Sequence, residues 1–428
     1  MIASRSLIST EAIAGVTTFF TMAYIVVVNP SILSTQGTGL PFSGVLTATV
    51  LVCFSMTLLM GLYARLPFAV APGMGINGFF TFTIILGRGV PWPVAFGMVF
   101  WAGVLFLVLS VTPFRVMIVK AIPSGLRAAT AVGIGIFLTL IGLRSAGVVV
   151  ADPVTLVRLG RLDHRALLTI LGLGVTLWFS ARRSPLAFLA GIFSVTVVAA
   201  VAGLVAVPPQ LLSAPDFDSV FLRLDIWGAL RWALAPAIVS LMFTDLFDSV
   251  STLIGVAQAS DMLDADGHPR NLKQGLIVDA FATLGAGLAG TSSGTAYVES
   301  AAGINAGGRT GLTSVFTALC FLPCFFLAPL AGMVPSYATA AVLILIGAAM
   351  FKSVSGIDFS KIEDGLPAFL TIILIPLTFS ITQGILWGFI SHVGLYCLAG
   401  RRREVHPVMY ALAAVAVGLL VLEHSALS

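Results

Sequence analysis

The chain has 428 residues, 58% of them apolar and only 9% charged, with 22 basic and 18 acidic side chains for a formal net charge of +4. A soluble domain carries roughly 25% charged residues, and a mean hydropathy of +1.06 agrees that this is a polytopic integral membrane protein rather than a soluble enzyme. The basic residues are read as lying in loops, a pattern of membrane topology that excludes nucleic acid as the partner.

A helix needs about 20 apolar residues to cross the hydrocarbon core. In chain order, the apolar stretches are 12–34, 43–63, 67–87, 91–111, 125–143, 165–180, 184–206, 231–257, 272–290, 294–306, 310–330, 336–351, 367–381 and 383–399. These predict an all-α polytopic protein of 14 transmembrane segments, several too short to cross as regular helices. A last stretch, 407–422, fits either an interfacial helix or an extra span. Residues 1–10 are short and half polar, with no small-residue cleavage site after an apolar region, so no cleavable signal peptide is expected. With the N-terminus inside, fifteen of the 22 basic residues fall on the cytoplasmic side and seven outside, as the positive-inside rule requires. Four of those seven, Arg144, Arg158, Arg161 and Arg165, crowd one outer loop.

The order of elements repeats. AIPSGLRAATAVGIGIFLTLIGL (121–143) resembles MVPSYATAAVLILIGAAMF (333–351), and ALLTILGLGVTLWFSARRSPLAFLAGIF (166–193) resembles AFLTIILIPLTFSITQGILWGFI (368–390). Two halves of seven spans must run in opposite senses. A 7+7 inverted repeat of this kind is an architecture of secondary transporters.

Two spans cannot be ordinary helices. AVAPGMGINGFFTF (69–82) holds Pro72, Gly73, Gly75 and Gly78; proline removes a backbone donor, and each glycine costs about 1 kcal/mol of helix stability relative to alanine. GTSSGTAYVESAAGINAGG (290–308) is rich in small polar residues, and its Thr295, Tyr297 and Val298 favour extended backbone. Irregular backbone survives at membrane depth only where protein buries it or it lines a cavity. These are the third and tenth spans, equivalent places in the two halves. The expectation is a pair of short extended pieces, each leading into a half-helix whose N-terminus faces a polar pocket near the midplane.

The polar residues of that pocket are few. Glu299 stands in the tenth span, Asn77 in the third, and Asp245 and Asp248 in TDLFDSVSTLIG (244–255) of the eighth. Carboxylates at bilayer depth are costly and mark functional sites. Glu299 suits the adjacent N–H donors of a planar N-heterocycle, and the amide of Asn77 suits a ring carbonyl or nitrogen; a helix cap is the ordinary alternative for Asn77. Asp245 and Asp248, at i and i+3, share a helix face. Asp248 is favoured as the ligand or proton group, and Asp245 as the more structural of the two. Asp279, in the ninth span, reads as packing. Thr244, Ser249, Ser251 and Thr252 read as helix back-bonding. Phe247 and Tyr297 are the aromatics most suited to stack on a flat ligand. Cys53, Cys320, Cys324 and Cys397 fall in apolar segments and read as small core residues, so neither disulfide, metal nor cofactor is expected. With no G-x-x-x-x-G-K-[ST] loop, the driving force is an ion gradient or the substrate's own.

With these residues in hand, the chain resembles the AzgA-like adenine/guanine/hypoxanthine permeases of the nucleobase–ascorbate transporter superfamily, which have the uracil permease fold. The motifs are GVTTFFTMAYIVVVNPSIL (15–33), APGMGINGFF (71–80), FTDLFDSVSTLIGVA (243–257), DMLDADG (261–267), GTSSGTAYVESAAGINAGGRTGLTSV (290–315) and GLPAFLTIILIPLTFSITQGI (365–385). The resemblance implies a core domain (12–111 and 231–330), a gate domain (112–207 and 336–399) and a cytoplasmic or interfacial tail (400–428). It implies purine uptake by symport with protons, through an elevator-like shift of the core, in an inner or plasma membrane with the N-terminus cytoplasmic. It carries the family's third-span asparagine onto Asn77, after Gly75, its eighth-span aspartate onto Asp248 and its tenth-span glutamate onto Glu299. Together with Phe247, Tyr297 and Thr295 these are the expected substrate-binding residues; Glu299, Asp248 and Asp245 are the candidates for proton coupling. Many members form dimers, so a homodimer is one assembly to expect. Ser249, Ser251, Gly294 and Ala296 depart from the family pattern and leave the choice among purines open. The rival readings are xanthine, uracil or an inorganic anion on the same fold, and an intramembrane hydrolase using Asp245, Asp248 or Asp279.

Overall fold

The computed structural model describes residues 2–112, 121–259, 262 and 270–425. Arg115, Lys120 and, apart from Met262, the DMLDADG motif lie outside the described residues. The described chain is mostly helical, in the order α1 (Ile2–Met22), α2 (Ile25–Leu33), α3 (Phe42–Leu59), β1 (Val70–Pro72), α4 (Met74–Gly78), α5 (Trp92–Val111), α6 (Ser124–Ser145), β2 (Val149–Asp152), β3 (Leu156–Leu159), α7 (His164–Ala181), α8 (Ala187–Val201), α9 (Ala235–Ala259), α10 (Leu272–Ala289), β4 (Gly294–Ala296), α11 (Ser300–Asn305), α12 (Gly311–Phe321), α13 (Ala328–Gly332), α14 (Ser336–Phe351), α15 (Ile362–Thr378), α16 (Ile381–Leu398) and α17 (Pro407–Ser425). Among the described residues, eight helices are long and apolar enough to cross a membrane. Four shorter apolar helices accompany them, Met74–Gly87, Ala187–Val201, Gly311–Phe326 and Pro407–Val421.

Several elements differ from the sequence expectation. The first apolar stretch is two helices, parted at Ala23–Tyr24. The eleventh is broken too: α12 gives way to a tight turn at Leu322–Phe326, where Pro323 has no N–H with which to continue the ladder. Extended backbone in the tenth span covers Gly294–Ala296 alone, so Tyr297 and Val298 fall outside the strand. Basic residues are not confined to loops, since Arg127, Arg144, Arg165 and Lys273 stand in terminal turns of helices. The arginine-rich outer loop folds into a hairpin, β2 against β3, with Val149 opposite Leu159 and Asp152 opposite Leu156. Asp152 accepts from the amides of Val154 and Thr155 at 2.9 and 3.0 Å and closes the turn as an Asx residue does. Asp163 caps α7 by accepting from the amides of Arg165 and Ala166.

Close helix packing rests on glycine. A Cβ on Gly347 of α14 would lie 2.3 Å from the Gly135 carbonyl oxygen of α6, and one on Gly135 would lie 2.7 Å from that of Gly347. Such pairs let two backbones touch in a medium where apolar burial alone does not drive association. α6 also packs on α15, α7 on α8, and α14 on both α7 and α8; α5 packs on α10, and α12 on α1 and α3. Apolar side chains face outward as well, among them Phe193 at 70% exposure and Leu377 at 69%, as suits a surface that meets lipid.

Candidate functional site

The two broken spans meet. β1 and β4 pair antiparallel with Val70 opposite Ala296, Ala71 opposite Thr295 and Pro72 opposite Gly294. The ladder extends on both sides, through Tyr297 N to the Ala69 oxygen at 2.9 Å and Gly73 N to the Ser293 oxygen at 2.8 Å. A two-stranded ribbon buried in a membrane protein has two open edges, and each unpaired group there is costly. Hydroxyls from the neighbouring helices close them. Thr57 of α3 bonds both the N–H and the carbonyl of Val70, at 2.9 and 3.1 Å. The Thr283 hydroxyl of α10, whose proton goes mainly to Asp245, lies 3.1 Å from the Gly294 carbonyl. Gly294 is required for that approach, because a Cβ there would lie 2.9 Å from the Cβ of Ala282.

Each strand runs directly into a short helix, β1 into α4 and β4 into α11, as the glycine and proline pattern predicts. Asn77 lies within α4, and Glu299 immediately precedes α11. Against the ribbon runs α9, which carries Asp245, Phe247 and Asp248. Asp248 is within electrostatic reach of Glu299, and Asp279 of both Asp245 and Asp248. Four carboxylates thus gather around one junction.

Their partners separate them by role. The Tyr24 hydroxyl, at the break between α1 and α2, donates to Glu299 Oε1 at 2.5 Å. Asp245 is fully buried and accepts from Ser293 at 2.6 Å and from Thr283, while its Oδ1 has no partner among the described residues. Asp279 is fully buried facing Ser249 and the Ala296 backbone, yet neither of its oxygens completes a well-formed hydrogen bond among the described residues. Half-buried Asp248 lines a small cavity of about 50 Å³ together with Gly75, Phe247, Arg127 and Thr130.

Not every predicted residue reaches that cavity. Asn77 is fully buried, accepts a hydrogen bond from Ser292 and lies 3.7 Å from Met74 Sδ, so it ties the two broken spans to each other. The Thr295 hydroxyl lies 3.1 Å from that of Ser249, which bonds across to the ribbon rather than back along its own helix. The Tyr297 hydroxyl donates to the Pro72 carbonyl at 2.5 Å. These three brace the ribbon. Gly75, Phe247 and Asp248 line the cavity; Glu299 is not in its wall, and is held by Tyr24 within electrostatic reach of Asp248.

Three residues were not anticipated from the sequence. Tyr24 was hidden in an apolar run. Arg127 counted only toward topology, yet it lines the cavity with Asp248 and its Nε has no partner among the described residues. Fully buried Glu11 accepts from the amides of Arg309 and Thr310 at 3.1 and 3.2 Å and from the Thr313 hydroxyl, fastening α1 to the start of α12. A glutamate one position before an apolar stretch was its signal.

Residues 9–386 match the Permease family. The chain is 41% identical to the adenine permease AdeP of Escherichia coli (strain K12) over 405 residues, covering 94% of this chain and 91% of that one. It is 38% identical to the guanine/hypoxanthine permease PbuO of Bacillus subtilis (strain 168), covering 95% of each. Its fold is similar to the transmembrane domain of a cyanobacterium bicarbonate transporter, BicA, with a TM-score of 0.65, 17% identity, and coverage of 89% of this chain and 97% of that one.

Proposed function

Because the chain belongs to the Permease family, a family of transporters rather than enzymes, we propose that it carries purine nucleobases across a cell membrane in symport with protons. The observation that carries this reading is the convergence of Asp248, Gly75 and Phe247 on one cavity where α9 crosses the third span, with Glu299 of the tenth span within electrostatic reach of Asp248. A purine presents a flat ring to Phe247 and N–H donors to the carboxylates of Asp248 and Glu299, which accept hydrogen bonds when ionised. One of these two carries the coupling proton, so that charge enters and leaves the site with the substrate. Asp245, already committed to Ser293 and Thr283, supports the ribbon, and Asn77, Thr295 and Tyr297 hold its geometry.

The cavity is far below the roughly 300–1,000 Å³ of a small-molecule pocket, and a purine needs more. Its walls come from α4 and α9 on one side and from α6 on the other. Admitting a ring therefore requires these two groups to part, which supports an elevator-like shift of a core (12–111 and 231–330) against a gate (112–207 and 336–399). The helix contacts fall largely within those groups. The antiparallel β1–β4 crossing is what a 7+7 inverted repeat of 14 segments would produce at its axis. The fifteen-to-seven split of basic residues supports a cytoplasmic N-terminus, and a homodimer is one assembly the family resemblance suggests.

Arg127 adds a donor to this acidic site. An oxopurine such as hypoxanthine or guanine offers a ring carbonyl to accept from it, and adenine does not, so the site favours oxopurines. A reading with an inorganic anion is disfavoured by two carboxylates beside one arginine.

The test is uptake of radiolabelled hypoxanthine, guanine and adenine by purine-transport-deficient cells expressing the chain, with and without a protonophore. Uptake that the protonophore abolishes is expected. Uptake that persists removes the proton coupling, and no uptake of any purine by membrane-inserted protein overturns the substrate.

A further inference from the structure

A second and much larger space runs beside the site. It is a crevice of about 850 Å³ between α1 and α2 on one side, α7 and α8 on another, and the α12–α13 turn and α13 on the third. Its walls are hydrocarbon, with Phe19 and Val27 facing Leu189, Phe193 and Val197 across it. Thr196 is in the wall, but its hydroxyl is spent on the Ile192 carbonyl of its own helix at 2.8 Å. Nothing there recognises a purine or any polar solute, and the volume lies in the range of a ligand pocket, about 300–1,000 Å³.

The crevice follows α8 from Leu189 to Val201 and begins at Leu186, just ahead of that helix. The fifteen residues of α8 span about 22 Å at 1.5 Å each. One leaflet of the hydrocarbon core is roughly 15 Å deep, half of the whole. Phe193 and Val201 are 70% and 86% exposed while lining it, so the crevice opens sideways onto the bilayer.

One end carries charge. Between Phe179 and Leu186, both in the wall, the chain turns through Arg182 and Arg183. Both are exposed and neither has an ion-pair partner among the described residues. The Arg182 guanidinium stacks on Trp178, 3.6 Å from the ring centroid, and tryptophan at a helix end is a mark of the membrane interface. Arg183 sits at φ 56, a backbone region that suits glycine, and a second guanidinium is kept there despite it.

We propose that this crevice is a binding site for an anionic phospholipid, with one acyl chain laid along α8 and its headgroup phosphate held by Arg182 and Arg183. The occupant lies against the helix that carries Phe188. That ring touches Tyr24, 4.9 Å between centroids, and Tyr24 holds Glu299. The lipid therefore braces the wall behind the candidate site, although its binding does not depend on what the site transports.

The test is native mass spectrometry of the delipidated full chain titrated with phosphatidylglycerol or phosphatidylcholine of the same acyl chains. Two arginines near a headgroup predict a roughly thirtyfold preference for phosphatidylglycerol, at about 1 kcal/mol each. Arg182→Gln with Arg183→Gln, both at the surface, should bring the two lipids within about threefold of each other. Ala190→Trp fills the crevice and should lower retention of both lipids at least tenfold, in protein that remains monodisperse. Equal binding of the two lipids by the unaltered chain overturns the proposal, as does selectivity that survives the double substitution. Lipid retention unchanged in Ala190→Trp removes the crevice as the seat.

Discussion

The β1–β4 crossing and the α6–α14 pair hold the same molecule together by opposite means. At the crossing, polar side chains make the joins: Thr57 to Val70 and Thr283 to Gly294 close the strand edges over short separations, while Ser292 to Asn77 links the spans across 215 positions and Tyr24 fixes Glu299 across 275. At α6–α14, Gly135 and Gly347 bring carbonyl to Cα, with Thr139 and Met350 packed tightly around them. The polar region can lose a hydrogen bond and keep its shape, because neighbours hold it. The glycine region cannot gain an atom. Chemistry and integrity are therefore separable by substitution.

The sharpest contrast should come from Gly347→Leu. Its Cβ would meet the Gly135 carbonyl at 2.3 Å, and overpacking of this kind costs about 1–3 kcal/mol or more. Folded protein recovered from membranes, measured by size-exclusion chromatography, should fall at least tenfold; a normal yield would break the comparison. Glu299→Gln and Asp248→Asn should do the reverse, leaving yield normal and lowering purine uptake about ten- to a hundredfold, the value of a charged hydrogen bond of roughly 1.5–3 kcal/mol. Arg127→Met should lower hypoxanthine and guanine uptake severalfold while adenine uptake changes less, and equal losses would remove its role as carbonyl donor. Tyr24→Phe should raise KM about three- to tenfold at unchanged yield, since one neutral donor worth roughly 0.5–1.5 kcal/mol leaves Glu299 less well aimed.

The smallest effect lies outside the membrane. Arg401 grips Glu404 through two bonds of 2.8 and 2.6 Å and holds that carboxyl below its usual range. A depressed folded-state value means that the contribution is present above the unfolded value and disappears as pH falls through the folded one. Glu404→Gln should therefore lower Tm slightly at neutral pH and not at all once both states are protonated, as paired thermal melts would register.

Much of this contrast was legible in the sequence. Pro72, Gly73 and the Thr295 region announced extended backbone because a proline and three glycines crowd one short segment and β-favouring residues the other, whereas single glycines such as Gly135 and Gly347 stay within helices. Asp245, Asp248 and Glu299 announced themselves by charge among apolar neighbours. What stayed hidden was long-range. No local rule sets Ala71 opposite Thr295 or tells that Asn77 would spend its oxygen on Ser292 rather than on the cavity. Tyr24 looked like one more aromatic in an apolar run, because its hydroxyl matters only through a partner 275 positions away. Arg127 read as a topology marker because it stands at the very start of the apolar stretch 125–143, and only the folded chain sets it in one cavity wall with Asp248. The β2–β3 hairpin escaped notice in a loop scanned only for its charges.

The most direct measurement is equilibrium binding of radiolabelled hypoxanthine to the purified chain and to its Glu299→Gln and Asp248→Asn variants. The account predicts saturable binding that weakens at least tenfold in each variant while both elute as the unaltered protein does. Affinity unchanged in both variants would contradict it, because the purine would then bind somewhere other than the crossing of the two broken spans.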